Sequence, residues 1–327
     1  MKTATAGPLR VGVVGVGYLG RHHARIYAAM PEVRLAGVVD RNQERAREVA
    51  GLYGAPAFED PGSLLGKVDA VSVATPTISH RSVAERFLAE GIPVLVEKPM
   101  TATLAEADAL VSLAASRGVL LAVGHTERFN PAVRVLCELA RDPRFIEVHR
   151  LGTFPARSLD IDVVLDLMIH DIDLVLALGR ASSGGSITSL DAVGVNALTP
   201  RVDIANARIR LSGGCVANLT ASRISTGKVR KIRVFTRDAY LSCDCADQTL
   251  EHFRLERRGS SDSAPAIARG TPEVARDEPL VCELRAFIAA VGGGAPFEVT
   301  GVEGREALAV ALAVAERIEE GLHEGAR

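Results

Sequence analysis

The sequence predicts a two-domain α/β protein. Short Val-rich strands alternate with helices up to about residue 125, and this order favours a parallel, doubly wound sheet. Long β-prone stretches separated by Gly- and Ser-containing turns follow, and such runs of strands favour a mostly antiparallel sheet. We therefore expect a first domain at 1–125 and a second domain at 126–327.

The first domain begins with a strand at 9–14, which is short and apolar, as expected of a buried parallel strand. Thr103 and Glu106 have the spacing of a capping box, and Gly118 follows the helix that they open. The remaining elements that we predict are strands at 34–40, 70–74, 94–97 and 120–125, and helices at 44–50, 79–90 and 103–117.

A glycine-rich turn, Gly15-Val-Gly17-Tyr-Leu-Gly20, follows the first strand. Gly15 permits a tight turn, Gly17 lets the backbone approach a pyrophosphate, and Gly20 lets the next helix pack closely on the strand. The N–H groups at the start of that helix can hold an anion. This layout predicts a Rossmann-type dinucleotide-binding unit, in which Tyr18 and Leu19 also lie beside the cofactor.

The second strand ends in Asp40, twenty residues after Gly20. A carboxylate at this place accepts hydrogen bonds from the ribose 2′-hydroxyl of NAD and repels the 2′-phosphate of NADP. Arg41 is compatible with either cofactor, because it can stack on adenine or tolerate a phosphate. We expect NAD rather than NADP, because Asp40 would lie closest to the 2′ position.

Two further groups follow strands of the first domain. Lys98 comes directly after Glu97 at a strand end, where an ammonium can stabilise the alkoxide formed from a substrate hydroxyl. The alternative interpretation is that Lys98 is an exposed lysine in a turn. Thr75, Pro76 and His80 follow another strand and are expected to line the cofactor cleft together with Glu97 and Lys98. Within this cleft, His80 is expected to be structural rather than catalytic.

The strongest signal in the second domain is a mostly apolar helix predicted at 161–178. Asp162, Asp166, His170 and Asp173 lie on one stripe of an ideal helix. A buried acid without a partner is costly, and the i,i+4 pair Asp166 and His170 suits proton transfer, with His170 as general base. The alternatives are a solvent-facing polar stripe, or a metal site completed by ligands that the sequence does not identify.

The rest of the second domain is predicted to contain strands, loops and two further helices. A basic segment at 228–233 can bind a phosphate-bearing substrate or form a solvated edge strand. Thr300 and Glu303 form a second capping box that opens a final helix at about 303–321. The other predicted elements are a helix at 131–140, strands within 145–154, 186–198, 202–224 and 229–243, and a surface loop at 257–279.

Composition limits the classes of function. The chain is 47% hydrophobic and 24% charged with a net charge of −2, which gives no reason to expect a nucleic-acid or membrane partner. We expect neither a transmembrane helix nor a signal peptide. The five cysteines form no CxxC pair and predict no metal site, and their odd number fits a reducing cytoplasm.

Taken together, the motifs resemble the Gfo/Idh/MocA oxidoreductase family over almost the whole chain. The motifs concerned are Gly15–Gly20, Asp40, 74–77 with His80, 97–99, Asp166 with His170 and Asp173, and 300–304. The resemblance implies an N-terminal Rossmann domain and a C-terminal α/β domain with a large, open, mostly antiparallel sheet that builds homodimers or homotetramers. It also implies that Lys98 positions substrate and cofactor, that Asp166 assists, and that His170 is the acid/base.

The segments 124–131 and 162–173 are similar to bacterial members that act on nucleotide sugars. This similarity predicts NAD-dependent oxidation of the 3-hydroxyl of UDP-N-acetylglucosamine to a ketone, which a partner aminotransferase would consume. Arg128, Asn130, Arg157 or the basic segment at 228–233 would meet the diphosphate. The alternatives are a dehydrogenase of free polyols or sugars, such as inositol, and a regulator that binds NAD without turnover.

Overall fold

The structure, a computed structural model, describes residues 7–154, 161–182, 185–256 and 266–325. The chain divides into two units. The first comprises Met1–Thr126 and Glu278–Glu306, and the second comprises Glu127–Asp277 and Ala307–Arg327. The first junction lies beside the boundary predicted at residue 125. The prediction placed all of 126–327 in the second domain and so missed the return of Glu278–Glu306 to the first unit.

The first unit contains the predicted parallel sheet. Its six strands have the order β3-β2-β1-β4-β5-β6, and every neighbouring pair is parallel. The strands are β1 Leu9–Val14, β2 Val33–Val39, β3 Ala57–Phe58, β4 Ala70–Val73, β5 Val94–Glu97 and β6 Leu121–Gly124. The helices between them are α1 Gly20–Ala29, α2 Gln43–Tyr53, α3 His80–Ala89 and α4 Leu104–Arg117. The short strand β3 was not predicted.

Local signals explain several of these boundaries. Thr103 and Glu106 form the predicted reciprocal capping box at the start of α4, and Gly118 ends that helix in the left-handed region, with φ at 60°. The order of the strands reverses at β1 and β4, so the chain leaves these two neighbours in opposite directions. The carboxyl edge of an open α/β sheet forms a ligand crevice at this point.

The second unit contains the mostly antiparallel sheet that the sequence predicts. In the described residues, its eight strands have the order β14-β13-β12-β11-β7-β10-β9-β8, with β7 and β10 as the one parallel pair. The strands are β7 Phe145–Leu151, β8 Ile187–Val195, β9 Ile204–Leu211, β10 Val216–Ser222, β11 Val229–Phe235, β12 Ala239–Asp244, β13 Thr249–Glu256 and β14 Ala266–Gly270.

Five differences from the prediction concern the described parts of this unit and the returning segment. The stretch 202–224 is two strands, since a turn with Gly214 at φ 83° separates β9 from β10. The stretch 229–243 is likewise divided into β11 and β12. Strand β13 and the helix α7, Pro279–Val291, were not predicted. Strand β14 lies inside the predicted loop 257–279, of which 257–265 fall outside the described residues.

Hydrogen bonding explains why the segment after α7 belongs to the first unit. The N–H of Val123 in β6 donates to the carbonyl of Val299, and Thr300 forms an antiparallel bridge with Ala122. Thr300 and Glu303 then begin the last helix, α8 Gly301–Gly325, as their spacing predicts, although the helix extends beyond residue 321.

One face of the eight-stranded sheet is buried. Residues such as Ile146, Leu219 and Ile232 are at most 1% exposed and belong to the apolar core of the second unit. The core also contains residues of α5 Pro131–Leu139 and of α6 Ile169–Arg180. Among the described residues, no helix is both long and apolar enough to cross a membrane.

Candidate active site

The glycine-rich turn connects β1 with α1 and has the geometry of a dinucleotide site. Gly15 has φ at 85°, and a Cβ on it would lie 2.7 Å from the carbonyl oxygen of Ala74. A Cβ on Gly20 would lie 1.7 Å from the carbonyl oxygen of Gly15. The backbone of the first unit itself therefore requires both glycines.

Gly17 differs from the other two glycines. Among the described residues, a Cβ on Gly17 would meet only Arg45 Nη1, at 3.8 Å. The packing of the described residues therefore does not explain its missing side chain, whereas the close approach of a pyrophosphate does. Tyr18 and Leu19, the predicted cofactor neighbours, are both exposed on this turn. The turn thus fits the diphosphate of a dinucleotide.

Asp40 follows β2 and is fixed beside the same turn. Its Oδ2 accepts a hydrogen bond from the N–H of Val16 at 3.0 Å, and its Oδ1 accepts one from the N–H of Asn42 at 2.8 Å. An ionised carboxylate has about four lone-pair sites, so both oxygens can still accept a bond from a ribose hydroxyl. Arg41 is exposed.

Arg45 was not among the residues predicted for the cofactor site. Its guanidinium Nη1 lies 3.5 Å from Asp40 Oδ2, so the acid at the predicted ribose position has a cation beside it. The sequence signal that could have indicated Arg45 is its position on the first turn of α2, five residues after Asp40.

His80 connects two loops at the carboxyl edge of the sheet. Its Nδ1 lies 3.0 Å from the carbonyl oxygen of Pro99, and its Nε2 lies 2.8 Å from that of Thr75. Burial lowers the pKa of His80, although both carbonyl contacts oppose this shift. The neutral ring donates to one carbonyl at a time, and the imidazolium donates to both. The structural role expected for His80 stays a prediction.

Glu97 ends β5 and is buried. His23 Nε2 donates to Glu97 Oε1 at 3.0 Å, and both side chains are almost inaccessible to solvent. A Cβ on Gly124, the neighbouring residue in β6, would lie 3.1 Å from the Glu97 carboxylate, so glycine leaves room for this group. Burial alone would raise the pKa of Glu97, but the hydrogen bond and charge of His23, assisted by Lys98 and His80, lower it.

The position of Lys98 follows from this arrangement. Lys98 is the first residue after β5 and is partly exposed at the carboxyl edge. It therefore lies at the same edge as the residues that follow β1, β2 and β4. The structure thus brings the cofactor residues predicted in the first unit to one edge of one sheet.

The helix that contains His170 begins with a π turn, Val164–Met168, in which Asp166 lies. Isolated π segments occur frequently at functional sites. His170 is the second residue of α6, and both side chains are partly exposed. A contact between Asp166 and His170 was predicted from ideal α-helical geometry and stays a prediction.

Asp162 does not belong to the predicted stripe. Its Oδ1 accepts hydrogen bonds from the N–H groups of Val164 and Leu165 at 2.8 and 2.9 Å, so it caps the start of the helix. A carboxylate in this place satisfies N–H groups that lack intrahelical partners.

Asp171, next to His170, is buried in an ion-pair network that the sequence did not predict. Arg150 Nε donates to both oxygens of Asp171 at 3.0 Å, and Nη2 donates to Oδ1 at 2.6 Å. Arg150 Nη1 also donates to Glu127 Oε1 at 3.1 Å, and Arg230 lies 3.7 Å from the same oxygen. Burial opposes the charge on Arg150, but Asp171 and Glu127 raise its pKa above the ordinary value.

The predicted diphosphate ligands have different environments. Arg128 Nη1 lies 3.5 Å from Oδ1 of the buried Asp173. Asn130 is buried, where its amide donates to the Cys245 carbonyl at 2.8 Å and accepts from the N–H of Ala132 at 3.1 Å. These contacts make Asn130 the cap of α5, a role that the sequence prediction did not include. Arg157 lies outside the described residues.

The basic segment lies on β11 and the residue before it. Ile232 and Val234 are buried, and Arg230 shares their side of the strand by alternation. Lys231 and Arg233 lie on the opposite face, where Arg233 donates to Glu147 at 2.7 Å and Lys231 lies 3.9 Å from Asp244. In the described ranges, no group of three or more His, Cys, Asp or Glu residues could hold a metal ion.

Comparison with known proteins agrees with this geometry. Residues 9–125 match the family model described as "Oxidoreductase family, NAD-binding Rossmann fold". The chain is 43% identical over 312 residues to the UDP-N-acetylglucosamine 3-dehydrogenase of Acidithiobacillus ferrooxidans, covering 95% of this chain and 97% of that protein. It is 26% identical to the myo-inositol 2-dehydrogenase of Thermotoga maritima, covering 95% and 97%.

Solved structures show the same likeness. A crystal form of the Acidithiobacillus ferrooxidans enzyme has a TM-score of 0.87 and 41% identity, covering 96% of this chain and 98% of that chain. The parallel sheet, the glycine-rich turn and these relatives define an NAD-binding oxidoreductase. Within that class, the chain belongs to the Gfo/Idh/MocA family.

The buried Glu97 predicts a pH-dependent contribution to stability. Because folding lowers its pKa, Glu97 stabilises the protein fully above its ordinary value of 4.5, and this contribution disappears as the pH falls through the lowered value. We expect Glu97→Gln to reduce the free energy of unfolding by about 2 kcal/mol at pH 7. The difference from wild type should shrink below pH 4.5 in denaturant titrations. The exposed Glu48→Gln is the matched control, and a difference independent of pH would contradict the prediction.

The Arg150 network predicts a large loss of stability when its cation is removed. Arg150→Met would leave two acids, Asp171 and Glu127, without their shared partner, and we expect a loss of about 3–5 kcal/mol in chemical denaturation. Arg233→Met removes an ion pair that is about one third exposed and should cost about 1 kcal/mol or less. Equal losses of stability in the two variants would contradict the prediction that the buried ion pairs contribute more than the partly exposed one.

Proposed function

We propose that the protein oxidises the 3-hydroxyl of UDP-N-acetylglucosamine to a 3-keto sugar, with NAD as hydride acceptor. The 43% identity to a UDP-N-acetylglucosamine 3-dehydrogenase over 95% of the chain is the observation that supports this substrate most directly. The glycine-rich turn, the fixed Asp40 and the position of Lys98 support the chemistry independently of that relative.

In the proposed mechanism, two side chains act on one hydroxyl group. The imidazole of His170 accepts the hydroxyl proton as general base, and Asp166 assists by favouring the protonated ring. The ammonium of Lys98 stabilises the negative charge that develops on the same oxygen. When bound, NAD supplies the acceptor for the carbinol hydride, and the protein supplies orientation and electrostatics.

NAD rather than NADP is the proposed cofactor. The N–H groups of Val16 and Asn42 hold the Asp40 carboxylate beside the glycine-rich turn. Its negative charge therefore stays near the proposed position of the ribose 2′-hydroxyl. A fixed carboxylate accepts the ribose hydroxyl and repels a 2′-phosphate.

Arg128 and Arg230 are proposed contacts for the diphosphate of the nucleotide sugar, together with Arg157 and Lys228. Arg128 and Arg230 each lie within 4 Å of an acid, so the diphosphate would share these cations with Asp173 and Glu127. Asn130 is omitted, because its amide is buried and engaged as a helix cap.

We also propose that the chain forms homodimers or homotetramers through the outer face of the eight-stranded sheet. In the described part of the chain, this face exposes Val193, Val195 and Ile267, which are 68%, 54% and 71% exposed. A row of partly exposed rings, Phe235, Tyr240 and Phe253, lies on the same face with centroids 4.7 and 5.4 Å apart. Apolar surface of this kind favours association. We place the protein in the cytoplasm, with a sugar aminotransferase as the consumer of its product.

The substrate is tested by following NADH formation with purified protein. We expect turnover with UDP-N-acetylglucosamine, and rates at least about 100-fold lower with free N-acetylglucosamine or myo-inositol, because remote binding energy contributes to the chemical step. Faster turnover of myo-inositol would instead favour the inositol dehydrogenases, to which the chain is 26% identical over 95% of its length. NAD binding without turnover of any sugar would indicate a regulator.

The two proposed catalytic residues predict separate kinetic effects. Lys98→Ala should lower kcat about 10³-fold while the Kd for NAD stays within about threefold, because the ammonium acts mainly on the transition state. His170→Ala should lower kcat about 10²- to 10⁴-fold, because the proposed proton acceptor is removed. Lys67→Ala changes a lysine that precedes β4, at the opposite edge of the sheet, and should behave as wild type. Wild-type rates for either active-site variant would refute its role.

A further inference from the structure

Arg223 follows β10 and is buried beside the start of the helical segment that contains Asp166. Its side chain is 2% exposed. Its Nη2 donates to the carbonyl of Ile161 at 2.7 Å and to the carbonyl of Val202 at 3.0 Å. The N–H of Val163 donates to the same Val202 carbonyl at 3.0 Å, and a carbonyl oxygen can accept two such bonds. These bonds fix the backbone of the residues with which the helical segment begins.

Asp203 is the anion beside this buried cation. Its Oδ1 lies 3.3 Å from Arg223 Nε. The N–H groups of Ala197, Leu198 and Thr199 donate to its Oδ2 at 2.9, 2.7 and 2.9 Å. Burial opposes the charge on Asp203, but these hydrogen bonds lower its pKa below the ordinary value. The ionised carboxylate therefore compensates the buried charge of Arg223.

The π turn Val164–Met168 is held at both of its ends. Arg223 fixes the backbone before the turn. After the turn, the buried Arg150 donates from Nη2 to Asp171 Oδ1 at 2.6 Å. A π turn contains one residue more than an α turn, so its conversion to an α turn would rotate the preceding residues by about 100° relative to α6. Asp166 lies in this turn, and the direction of its side chain therefore depends on both anchors.

We propose that Arg223, held by Asp203, is a positioning residue for the oxidation of the sugar, because it fixes the segment from which Asp166 assists His170. This inference rests on the proposed function. Arg223 is buried and bonds to backbone carbonyls, so it acts through the chain and not on the substrate. Small displacements matter here, since a misplacement of about 1 Å can lower a reaction rate about 100-fold.

The kinetics of NADH formation test this role with a conservative variant. Arg223→Lys keeps the buried charge but loses the planar guanidinium, so it holds the two carbonyls less rigidly. With UDP-N-acetylglucosamine, we expect kcat to fall about tenfold, while KM and the Kd for NAD stay within about threefold. Each rate is divided by the number of NAD sites from calorimetric titration, so that a smaller folded fraction does not lower the kcat obtained.

A double-mutant cycle distinguishes positioning from a purely structural role. In an Asp166→Asn background, Arg223→Lys should lower kcat by less than about threefold further, because no carboxylate remains to be positioned. A purely structural residue would lower kcat by the same factor in both backgrounds. Asp203→Asn should show the same dependence on Asp166, and it replaces Arg223→Lys if that variant is not folded by circular dichroism.

Leu241→Ala is the matched control for lost stability. Leu241 lies on β12, is buried in the apolar core of the same unit, and has no assigned part in the reaction. Its truncation destabilises that core, and kcat per NAD site should stay within about threefold of wild type. Its effect on kcat should be the same with and without the Asp166 carboxylate.

The outcomes separate this inference from the proposed function. Wild-type kcat in Arg223→Lys, or an equal loss of kcat in both backgrounds, would overturn the inference and leave the proposed function standing. If Asp166→Asn itself keeps wild-type kcat, the role of Asp166 is wrong and the inference falls with it. If the wild-type protein oxidises no sugar, the proposed function and the inference are both wrong.

Discussion

The buried hydrogen bond between His23 and Glu97 connects the two functional parts of the first unit. Helix α1 begins at Gly20, on the glycine-rich turn, and His23 lies within its first turn. Its imidazole holds the carboxylate that ends β5, directly before Lys98. A buried carboxylate without such a partner would cost several kcal/mol. The helix that completes the cofactor turn therefore also fixes the backbone from which the proposed catalytic lysine extends.

A related arrangement fixes the helix that contains His170 in the second unit. Asp171 and Asp173 are both buried, and Arg150 and Arg128 respectively lie beside them. Asp162 caps the start of the same helix, which begins as a π turn. Separating the partners of a buried ion pair would strongly destabilise the folded protein, so these charges restrict where the helix can lie. His170 remains partly exposed on an element whose neighbouring acids are anchored.

Much of the fold could be predicted from local signals. The parallel strands, the glycine-rich turn and both capping boxes have sequence patterns that follow from backbone sterics and from hydrogen bonding within a few residues. Strands β13 and β14 and helix α7 were missed. Strand β13 lies beside β12 and β14, so neighbours in the sheet favour it more than its own alternation does. The return of Glu278–Glu306 to the first unit depends on bonds such as Val123 to Val299, which no local pattern indicates.

Local sequence patterns were enough to identify the candidate functional residues: Gly15, Gly17 and Gly20 by their spacing, Asp40 and Lys98 by their places at strand ends, and His170 by its place among apolar residues. The partners of the buried charged side chains, in contrast, follow from the packing of the folded chain. His23 and Glu97 are 74 residues apart, and Arg150 and Asp171 are 21 apart. Such pairs form only when strands and helices pack in register, because Coulomb and hydrogen-bond energies depend on distances in space and not on separation along the chain.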